Sequence, residues 1–589
     1  MSANHLLEGK QGERHLLLSN EAIVRGALEA GVHVVTCYPG TPSSEVPDTF
    51  YKIGGAGKRY YMQYSVNEKV AMEVACGAAL SGAMALVTMK HVGLNVAADP
   101  LYTAAYTGVN GGLVVAVADD PGMHSSQNEQ DSRHHAMASK VPMVEPADSG
   151  ECRDFMKLAF ELSEKFDTPV LFRTCTRVAH SQSLVELNDR QERPLKEYVK
   201  DPRKYVMAPG NAIPRHVVVE NRTEKLREYG EDCPFNRVEM NGAEWGVITS
   251  GISYQYVKEA LPEASVLKLG LVYPLPEKLI RDFASKVEKL AVVEELDPVI
   301  ETHLATLGIK VDLGKKELGL LGEFSQNRIR AAFGKALPES EKLETALPVR
   351  PPVLCPGCPH RGLFHVLHKL KVTVSGDIGC YTLGASAPLS AMDSTICMGA
   401  SIGVLHGFEK VRPEAAKKMV AVIGDSTFMH SGMTGLVNLV YNQGVGVVLI
   451  LDNSITGMTG HQQNPLTGMT LKEQPTAHLS AEKIAEACGV KRVRVVDPQD
   501  LKTTEAAIKE ELAADEPSVI VVRRPCALLK WVKHKPAFHI EADKCKSCKA
   551  CMQIGCPAIV FDGKAAIDPT LCVGCGLCQQ LCKFGAIAE

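Results

Sequence analysis

The sequence predicts a multidomain α/β protein with parallel-sheet domains, followed by a small cysteine-rich domain at the carboxyl end. Short apolar runs rich in β-branched residues alternate with longer segments of small residues, which is typical of parallel sheets with crossover helices. A chain of 589 residues is too long for one hydrophobic core, and ordinary domain sizes give roughly three to five domains. Eight of the 19 cysteines lie in the last tenth of the chain.

The composition excludes several function classes. Hydrophobic residues make up 45% and charged residues 22% of the chain, and the formal net charge is only -4. Because no strongly basic surface is indicated, we do not expect nucleic acid as a partner. The first 20 residues contain scattered charges and no apolar signal region, and no stretch is long enough to span a bilayer. We therefore expect a cytoplasmic protein whose cysteines are reduced or bind metal.

Composition and periodicity divide the chain into six segments. Strand-like runs such as VHVVTCYPG and GLVVAVADD mark a first α/β segment, and a polar stretch follows it as a connection. A second, smaller α/β segment ends before the proline-rich LETALPVRPPV, which reads as a linker. The third α/β segment contains MVAVIGDS, GVVLILDNS and VIVVRRPC and precedes the cysteine-rich tail. The predicted bounds are 1–180, 181–244, 245–341, 342–353, 354–530 and 536–589.

The tail contains two runs of the form C-x2-C-x2-C, each followed by a fourth cysteine. They are Cys545, Cys548, Cys551 and Cys556, then Cys572, Cys575, Cys578 and Cys582. The pattern resembles the bacterial two-cluster ferredoxins, in which three thiolates of one run and the fourth of the other hold each 4Fe-4S cluster. That resemblance implies one cluster on Cys545, Cys548, Cys551 and Cys582, and another on Cys572, Cys575, Cys578 and Cys556. The alternative is a pair of zinc sites, although zinc usually takes paired C-x2-C hooks, not triplets.

The third α/β segment carries a candidate diphosphate site. MVAVIGDS and GVVLILDNS read as parallel strands joined by a crossover helix, so Asp425 and Asn453 should emerge at the same carboxyl edge of the sheet. With the carbonyl of Ile455 they form a set of hard oxygen ligands suited to Mg²⁺. Gly424 and the helix start after Ser426 would offer backbone N–H groups to phosphates.

This arrangement resembles the thiamine diphosphate motif, which reads G-D-G, a spacer and then N-N. Here Ser426 replaces the last glycine and Asp452 replaces the first asparagine. A Gly-Asp turn after a strand is also common in proteins that bind no diphosphate.

The first segment supplies a candidate activating carboxylate. Thiamine diphosphate needs a carboxylate near N1′ of its aminopyrimidine, because that hydrogen bond promotes removal of the thiazolium proton. YSVNEKVAMEVACGAALSG predicts a small-residue helix with Glu68 at its start. The alternative is an ordinary first-turn glutamate that the helix dipole favours.

Six short segments and the cysteine-rich tail carry a wider resemblance. The segments are YPGTPSSEV, MKHVGLN, CPGCPHR, GDIGCYTLG, GDSTF and DNSITGMTG. Together with the tail, they resemble the 2-oxoacid:ferredoxin oxidoreductases, and within them the large subunits of the indolepyruvate branch. The resemblance covers essentially the whole chain. It implies a pyrimidine-binding domain (1–180), a transketolase C-terminal-like domain (245–341), a diphosphate-binding domain (354–530) and a ferredoxin-like domain (536–589), hence a thiamine-diphosphate-enzyme fold with a two-cluster tail. It also implies a smaller beta subunit, in a heterotetramer of two alpha and two beta chains.

The resemblance implies that an arylpyruvate and coenzyme A give aryl-acetyl-CoA and CO₂, with electrons passed to ferredoxin. Glu68 would activate thiamine diphosphate, and Asp425, Asn453 and the Ile455 carbonyl would hold Mg²⁺. Thr41 of YPGTPSS would face the 2-oxoacid.

Two further positions carry weaker implications for substrate binding. Arg133 is a candidate for the substrate carboxylate, with an exposed salt-bridging arginine as the alternative. Met458 stands in a segment where the pyruvate branch has N-T-G-G-Q, and a thioether there favours an apolar or aromatic substrate. Simple core filling would also explain a methionine.

Four more cysteines predict a third 4Fe-4S cluster. Cys355 and Cys358 lie in CPGCPHR, while Cys380 and Cys526 each follow a predicted strand of the same segment, so all four could meet at one sheet edge. Relatives in the family place a cluster with this ligand pattern beside thiamine diphosphate. The alternative is a set of buried, inert thiols around a structural turn.

Two other functions are alternatives to this one. A thiamine-dependent decarboxylase or carboligase would need no clusters, so the tail argues against it. A non-catalytic electron-transfer subunit would need neither Glu68 nor the pair Asp425 and Asn453. The sequence does not separate indolepyruvate from phenylpyruvate, hydroxyphenylpyruvate or a branched oxoacid, nor one chain from a dimer as the holder of the whole site.

Overall fold

Parallel strands form the centre of the three large sheets in the computed structural model, which describes residues 4–54, 59–339 and 345–589. The predicted α/β class with parallel sheets is confirmed. The chain divides into two units, Met1–Leu343 and Glu344–Glu589. Residues 342–344 of the predicted linker lie outside the described residues, and 345–353 contain no helix or strand.

The first unit contains three sheets. Its strands are β1 (Arg14–Leu18), β2 (Val34–Cys37), β3 (Tyr61–Tyr64), β4 (Ala85–Lys90), β5 (Leu113–Asp119), β6 (Met143–Val144), β7 (Val170–Cys175), β8 (Gln182–Glu186), β9 (Arg237–Glu239), β10 (Trp245–Ser250), β11 (Ser265–Leu269), β12 (Leu271–Tyr273) and β13 (Lys289–Val293). Its helices are α1 (Asn4–Glu8), α2 (Ser19–Ala30), α3 (Glu45–Lys52), α4 (Glu68–Leu80), α5 (His91–Val96), α6 (Ala98–Thr107), α7 (Arg133–Ser139), α8 (Ser149–Phe166), α9 (Thr176–His180), α10 (Pro202–Tyr205), α11 (Pro209–Gly230), α12 (Gly251–Ala260), α13 (Glu277–Ala284), α14 (Val299–Thr306), α15 (Lys315–Leu318) and α16 (Gln326–Ala332).

The largest sheet of this unit has the order β12-β6-β7-β5-β4-β2-β3. All its neighbouring strands run parallel except β12, which pairs antiparallel with β6. Every residue of β4, β5 and β7 is buried, as expected for strands covered by helices on both faces. Strand β12 belongs to the predicted 245–341 segment, so that segment completes the edge of the first segment's sheet.

The smaller parallel sheet has the order β13-β10-β11-β9, with β9 antiparallel at its edge. The polar stretch predicted as a connection contains the 22-residue helix α11. Helix α11 contacts α6 through Arg222, whose guanidinium donates to the main-chain oxygens of Ala105 (2.7 Å) and Asp167 (2.9 Å). The connection is therefore packed against the first sheet's helices.

The second unit is built on a five-stranded parallel sheet of order β14-β15-β16-β18-β17 and two small antiparallel pairs, β19-β22 and β20-β21. Its strands are β14 (Thr373–Ser375), β15 (Met419–Gly424), β16 (Val447–Asp452), β17 (Arg492–Val496), β18 (Ser518–Arg523), β19 (His539–Ile540), β20 (Ile559–Asp562), β21 (Lys564–Ile567) and β22 (Ile587–Ala588). Its α-helices are α17 (His360–Leu370), α18 (Ala400–Val411), α19 (Pro413–Ala416), α20 (Asp425–Thr427), α21 (Met433–Tyr441), α22 (Ala481–Ala487), α23 (Leu501–Leu512) and α24 (Leu577–Leu581).

Arg133 joins the two parallel sheets of the first unit. Its side chain is 1% exposed, and it donates to the carboxylates of Asp131 (2.6 Å) and Glu294 (2.5 Å). It also donates to the main-chain oxygens of Glu295 (3.0 Å) and Asp297 (2.9 Å). The exposed-salt-bridge interpretation is wrong. The assignment of Arg133 to the substrate carboxylate is corrected as well, because the guanidinium is enclosed and already bonded to protein acceptors.

We predict that Arg133→Ala destabilises the first unit strongly. The change removes the cation that bonds the buried carboxylates of Asp131 and Glu294, and breaking such a buried pair typically costs about 3–5 kcal/mol. The control is Arg14→Ala, which breaks an ion pair with Glu186 whose side chains are 65% and 53% exposed and should cost less than about 1 kcal/mol. Thermal unfolding of both variants measures the difference. Equal midpoints would contradict the structural role of Arg133.

Candidate active site and iron-sulfur centres

Oxygen donors converge at the carboxyl edge of the five-stranded sheet. Strands β15 and β16 run parallel with Gly424 opposite Leu451, so the residues that follow them are neighbours. The side-chain NH₂ of Asn453 donates to the Ile455 carbonyl oxygen at 2.6 Å and to Oδ2 of Asp425 at 3.3 Å. The structure therefore brings together the three ligands that the sequence predicts.

The electrostatics of this trio suit a divalent cation. Burial, with the neighbouring charge of Asp452 adding to it, raises the pKa of Asp425 to about 7. The NH₂ group of Asn453 donates to the other two groups, and rotation of the amide would instead present its oxygen to a cation beside Asp425 and the Ile455 carbonyl. Mg²⁺ prefers such oxygen ligands, so the residues present fit the predicted ion.

A helical segment begins directly at the end of β15. Helix α20 starts at Asp425 and continues through a π-helical turn, Phe428–Gly432, into α21. Gly424 is required because a Cβ there would lie 2.6 Å from Cε1 of Tyr381. The backbone N–H of Ser426 donates to Oδ1 of Asp425 at 2.7 Å. A strand, a tight turn and a helix start in this order form a common phosphate site, and π-helical turns often occur at functional sites.

The thiols of Cys355, Cys358, Cys380 and Cys526 lie close enough to affect one another electrostatically. Burial raises the pKa of Cys380 to about 11, and the thiols of Cys526 and Cys355 raise it further. Burial likewise raises the pKa of Cys358 to about 12, with Cys355 and Cys380 contributing. Asp425 is among the charges that raise the pKa of both Cys380 and Cys526. The four-thiol set therefore lies beside the oxygen trio.

The cysteine-rich tail encloses two cavities, and each is lined by one of the predicted crossed ligand sets. The first cavity is lined by Cys545, Cys548, Cys551 and Cys582. The second is lined by Cys556, Cys572, Cys575 and Cys578. In both cavities the fourth cysteine comes from the other run, as the resemblance to two-cluster ferredoxins implies.

A single-ion site and a cubane cluster require different thiol spacings. Within residues 4–54, 59–339 and 345–589, no group of three or more His, Cys, Asp or Glu side chains could hold one metal ion. A zinc site would gather four thiolates around one centre. In a cubane cluster each thiolate binds its own iron, so the sulfurs stand farther apart.

Glu68 lies at the start of α4 in the first unit and is 5% exposed. The side chain of Asn67 caps this helix by accepting from the N–H of Val70 at 2.9 Å. Oε1 of Glu68 lies only 2.5 Å from where a Cβ on Gly93 would stand. The carboxylate thus packs on the MKHVGLN segment, whereas a glutamate that serves only the helix dipole is usually exposed.

Thr41 lies in the turn that follows β2, next to a buried lysine that the sequence analysis did not single out. Lys90 ends β4, is 7% exposed and donates to the Ser125 carbonyl at 2.6 Å. Burial lowers its pKa to about 8, against the charge of Asp120 at 4.0 Å. A Cβ on Gly40 would lie 3.0 Å from Cβ of Lys90, so Lys90 adjoins the Thr41 turn. A charged residue that ends the apolar run ALVTMK is the signal that could have revealed it.

Met458 is 51% exposed in the loop after β16. The core-filling alternative for this residue is therefore wrong, and its contact with substrate stays a prediction. Asn464, in the same loop, also hydrogen-bonds Asp425 and was missed because no motif marks it.

Comparison with known proteins agrees with this geometry. The family model "Pyruvate flavodoxin/ferredoxin oxidoreductase, thiamine diP-bdg" matches residues 25–230. "Thiamine pyrophosphate enzyme, C-terminal TPP binding domain" matches 377–522, and "4Fe-4S binding domain" matches 565–588. The fold and sites thus define a thiamine-diphosphate-dependent 2-oxoacid oxidoreductase with iron-sulfur electron transfer.

Curated relatives identify the branch. The indolepyruvate oxidoreductase subunit IorA of Archaeoglobus fulgidus is 42% identical over 99% of both chains. That of Thermococcus kodakarensis is 42% identical over 99% of this chain and 98% of its own. The chain belongs to the family of indolepyruvate oxidoreductase IorA subunits. A solved 2-oxoglutarate:ferredoxin oxidoreductase from Magnetococcus marinus is 17% identical, with a TM-score of 0.46 over 55% of this chain and 66% of its own.

The predicted fold class is confirmed, including its thiamine-diphosphate domains and its 4Fe-4S tail. In the part of the chain that the structure describes, no helix is long and apolar enough to cross a membrane.

We predict that Gly93→Ala displaces the Glu68 carboxylate and lowers oxidoreductase activity at least tenfold, because the new Cβ would overlap Oε1 and Cγ of Glu68. Gly77→Ala on α4 is the matched control, since a Cβ there meets nothing within 4 Å. Steady-state assays of both variants at equal iron content provide the measurement. Full activity of Gly93→Ala would show that Glu68 need not occupy its present position.

Proposed function

We propose that this chain oxidises arylpyruvates, indolepyruvate among them, with coenzyme A to aryl-acetyl-CoA and CO₂, and that it passes two electrons singly to ferredoxin. The proposal rests chiefly on one observation, the four-thiol set lying beside the Asp425 trio, because a cluster on those thiols would be an electron acceptor next to the proposed diphosphate site. The names of the IorA relatives support the choice of substrate.

The reaction balances without a further oxidant. The carboxylate of the oxoacid leaves as CO₂, the thiol of coenzyme A loses its proton, and its sulfur bonds to the former ketone carbon. Two electrons and one proton are released for each aryl-acetyl-CoA formed. Two molecules of ferredoxin accept these electrons, one each.

Asp425, Asn453 and the carbonyl of Ile455 would hold Mg²⁺, which in turn holds the diphosphate. The turn at Gly424 and Ser426 would bind the phosphate oxygens through backbone N–H groups. Bound thiamine diphosphate supplies a nucleophile for the ketone carbon and an electron sink for the loss of CO₂.

Glu68 would share a proton with N1′ of the aminopyrimidine, and its burial keeps water from competing for that hydrogen bond. Lys90 would bind the substrate carboxylate in place of Arg133, with Thr41 beside it, since a buried ammonium whose Asp120 partner stands 4.0 Å away can also take an anionic ligand. Met458 would pack on the aromatic ring of the substrate.

The electrons would leave through three 4Fe-4S clusters. The first would lie on the four-thiol set, and the other two would fill the cavities of the tail. A smaller beta subunit, with two alpha and two beta chains in the assembly, completes the proposed enzyme. Whether Glu68 serves a cofactor held by its own chain or by a second copy is decided by mixing inactive variants.

We predict that Glu68→Gln abolishes 2-oxoacid-dependent viologen reduction, by about 10²-fold or more, without loss of iron. The assay is anaerobic, depends on coenzyme A and uses the chain with its beta partner. Glu73→Gln on the same helix is the control, because Glu73 forms an exposed pair with Lys69. Turnover by Glu68→Gln at the wild-type rate would refute the role of this carboxylate.

The same assay tests the substrate class. We expect indolepyruvate, phenylpyruvate and hydroxyphenylpyruvate to give higher kcat/KM than pyruvate, 2-oxoglutarate or branched oxoacids, because the exposed thioether of Met458 offers no polar partner. A preference for 2-oxoglutarate would contradict the proposed substrate while leaving the reaction type intact.

Iron analysis of anaerobically purified chain tests the third cluster. We predict about twelve irons per chain, four for each cluster. About eight irons would show that only the tail carries clusters and would leave the four-thiol set as free cysteines.

A further inference from the structure

A buried arginine lies between two of the proposed cluster sites. Arg361 of CPGCPHR is 2% exposed and lines the cavity formed by Cys556, Cys572, Cys575 and Cys578. Its Nε donates to the carbonyl oxygen of Cys355 at 2.9 Å. One guanidinium therefore touches the four-thiol set on one side and the second tail cavity on the other.

Every hydrogen bond of this guanidinium, among the described residues, goes to a main-chain carbonyl. The acceptors besides Cys355 are Leu354, Ile554 (3.2 Å) and Gly555. Leu354 and Gly555 immediately precede Cys355 and Cys556. These carbonyls satisfy the N–H groups, but they do not neutralise a buried positive charge, and no carboxylate is among them.

Cysteines of both sets lie beside Arg361. Its guanidinium donates to the carbonyl of Cys355, a member of the four-thiol set, and it lines the cavity that contains Cys556 and Cys575 of the second tail set. A thiolate-bound cluster is net negative, and it gains a further negative charge on reduction. Clusters in both places would provide the missing counter-charge.

The loops that carry the two cysteine sets are in direct contact. A Cβ on Gly357 would lie 2.3 Å from Cγ2 of Val573 and 3.4 Å from Cβ of Ala527. Val573 follows Cys572 and Ala527 follows Cys526, so the CPGC loop lies against a loop of each set.

We propose that Arg361 is an electrostatic positioning residue for electron transfer: a buried cation that raises the reduction potential of the clusters on both sides of it relative to the cluster of the Cys545 set. The inference rests on the cluster assignments proposed above. A cation favours the reduced, more negative form of a cluster, and the effect is large where little solvent screens it. The two clusters next to Arg361 would then hold electrons more readily than the Cys545 set, which the guanidinium does not contact.

The test is an EPR-monitored redox titration of the purified holoenzyme with three variants. We expect Arg361→Gln to shift the reduction equilibrium of the adjacent clusters at least tenfold toward the oxidised form, about 59 mV for a one-electron couple. Arg361→Lys retains the charge but not the four carbonyl contacts, and it should recover most of the wild-type potential. Arg494→Gln removes a half-buried arginine that is paired with Glu511 and belongs to neither cysteine set, and it should leave the potentials unchanged.

Three outcomes would overturn the proposal: unchanged potentials in Arg361→Gln, equal shifts in the Gln and Lys variants, or loss of iron from both. Each would mean that Arg361 only holds the loops together. A wild-type protein without low-potential iron-sulfur signals would instead contradict the cluster assignments themselves, so the two failures are distinguishable.

Discussion

The parallel sheet of the second unit imposes the constraint on which its chemistry depends. Strands that run parallel end at the same edge, so residues far apart in sequence meet there without any long-range motif. Asp425 and Asn453 follow adjacent strands, and Cys380 and Cys526 follow the strands on either side of them. The same edge therefore brings the hard oxygens proposed for a cation next to the soft sulfurs proposed for iron.

The second unit buries charged groups near this edge. Asp425 has a carboxylate with a raised pKa, and Arg361 has a guanidinium with only carbonyl acceptors. Such groups are costly inside a protein unless opposite charges accompany them. In the first unit the cost is met within the chain, since Arg133 is enclosed by two carboxylates. In the second unit the partners that suit the charges are a metal ion and negatively charged clusters.

Much of the fold and site could be predicted because local patterns carry them. The strand endings indicated the positions of Asp425 and Asn453, and the resemblance of the tail to two-cluster ferredoxins implied the crossed sets that line the two cavities. The roles of Arg133 and Lys90 could not be predicted in this way. Whether a charged side chain is enclosed depends on strands and loops that are distant in sequence, such as the one carrying Glu294, and no local pattern reports that.

In the proposed mechanism, electrons pass from the Asp425 site through the four-thiol set to the tail. Freeze-quench EPR of a Cys380→Ala holoenzyme mixed anaerobically with indolepyruvate and coenzyme A tests it most directly. We expect dithionite to reduce the tail clusters of this variant to the wild-type level, whereas substrate should leave them oxidised. Reduction of the tail clusters by substrate at the wild-type rate would contradict this electron path.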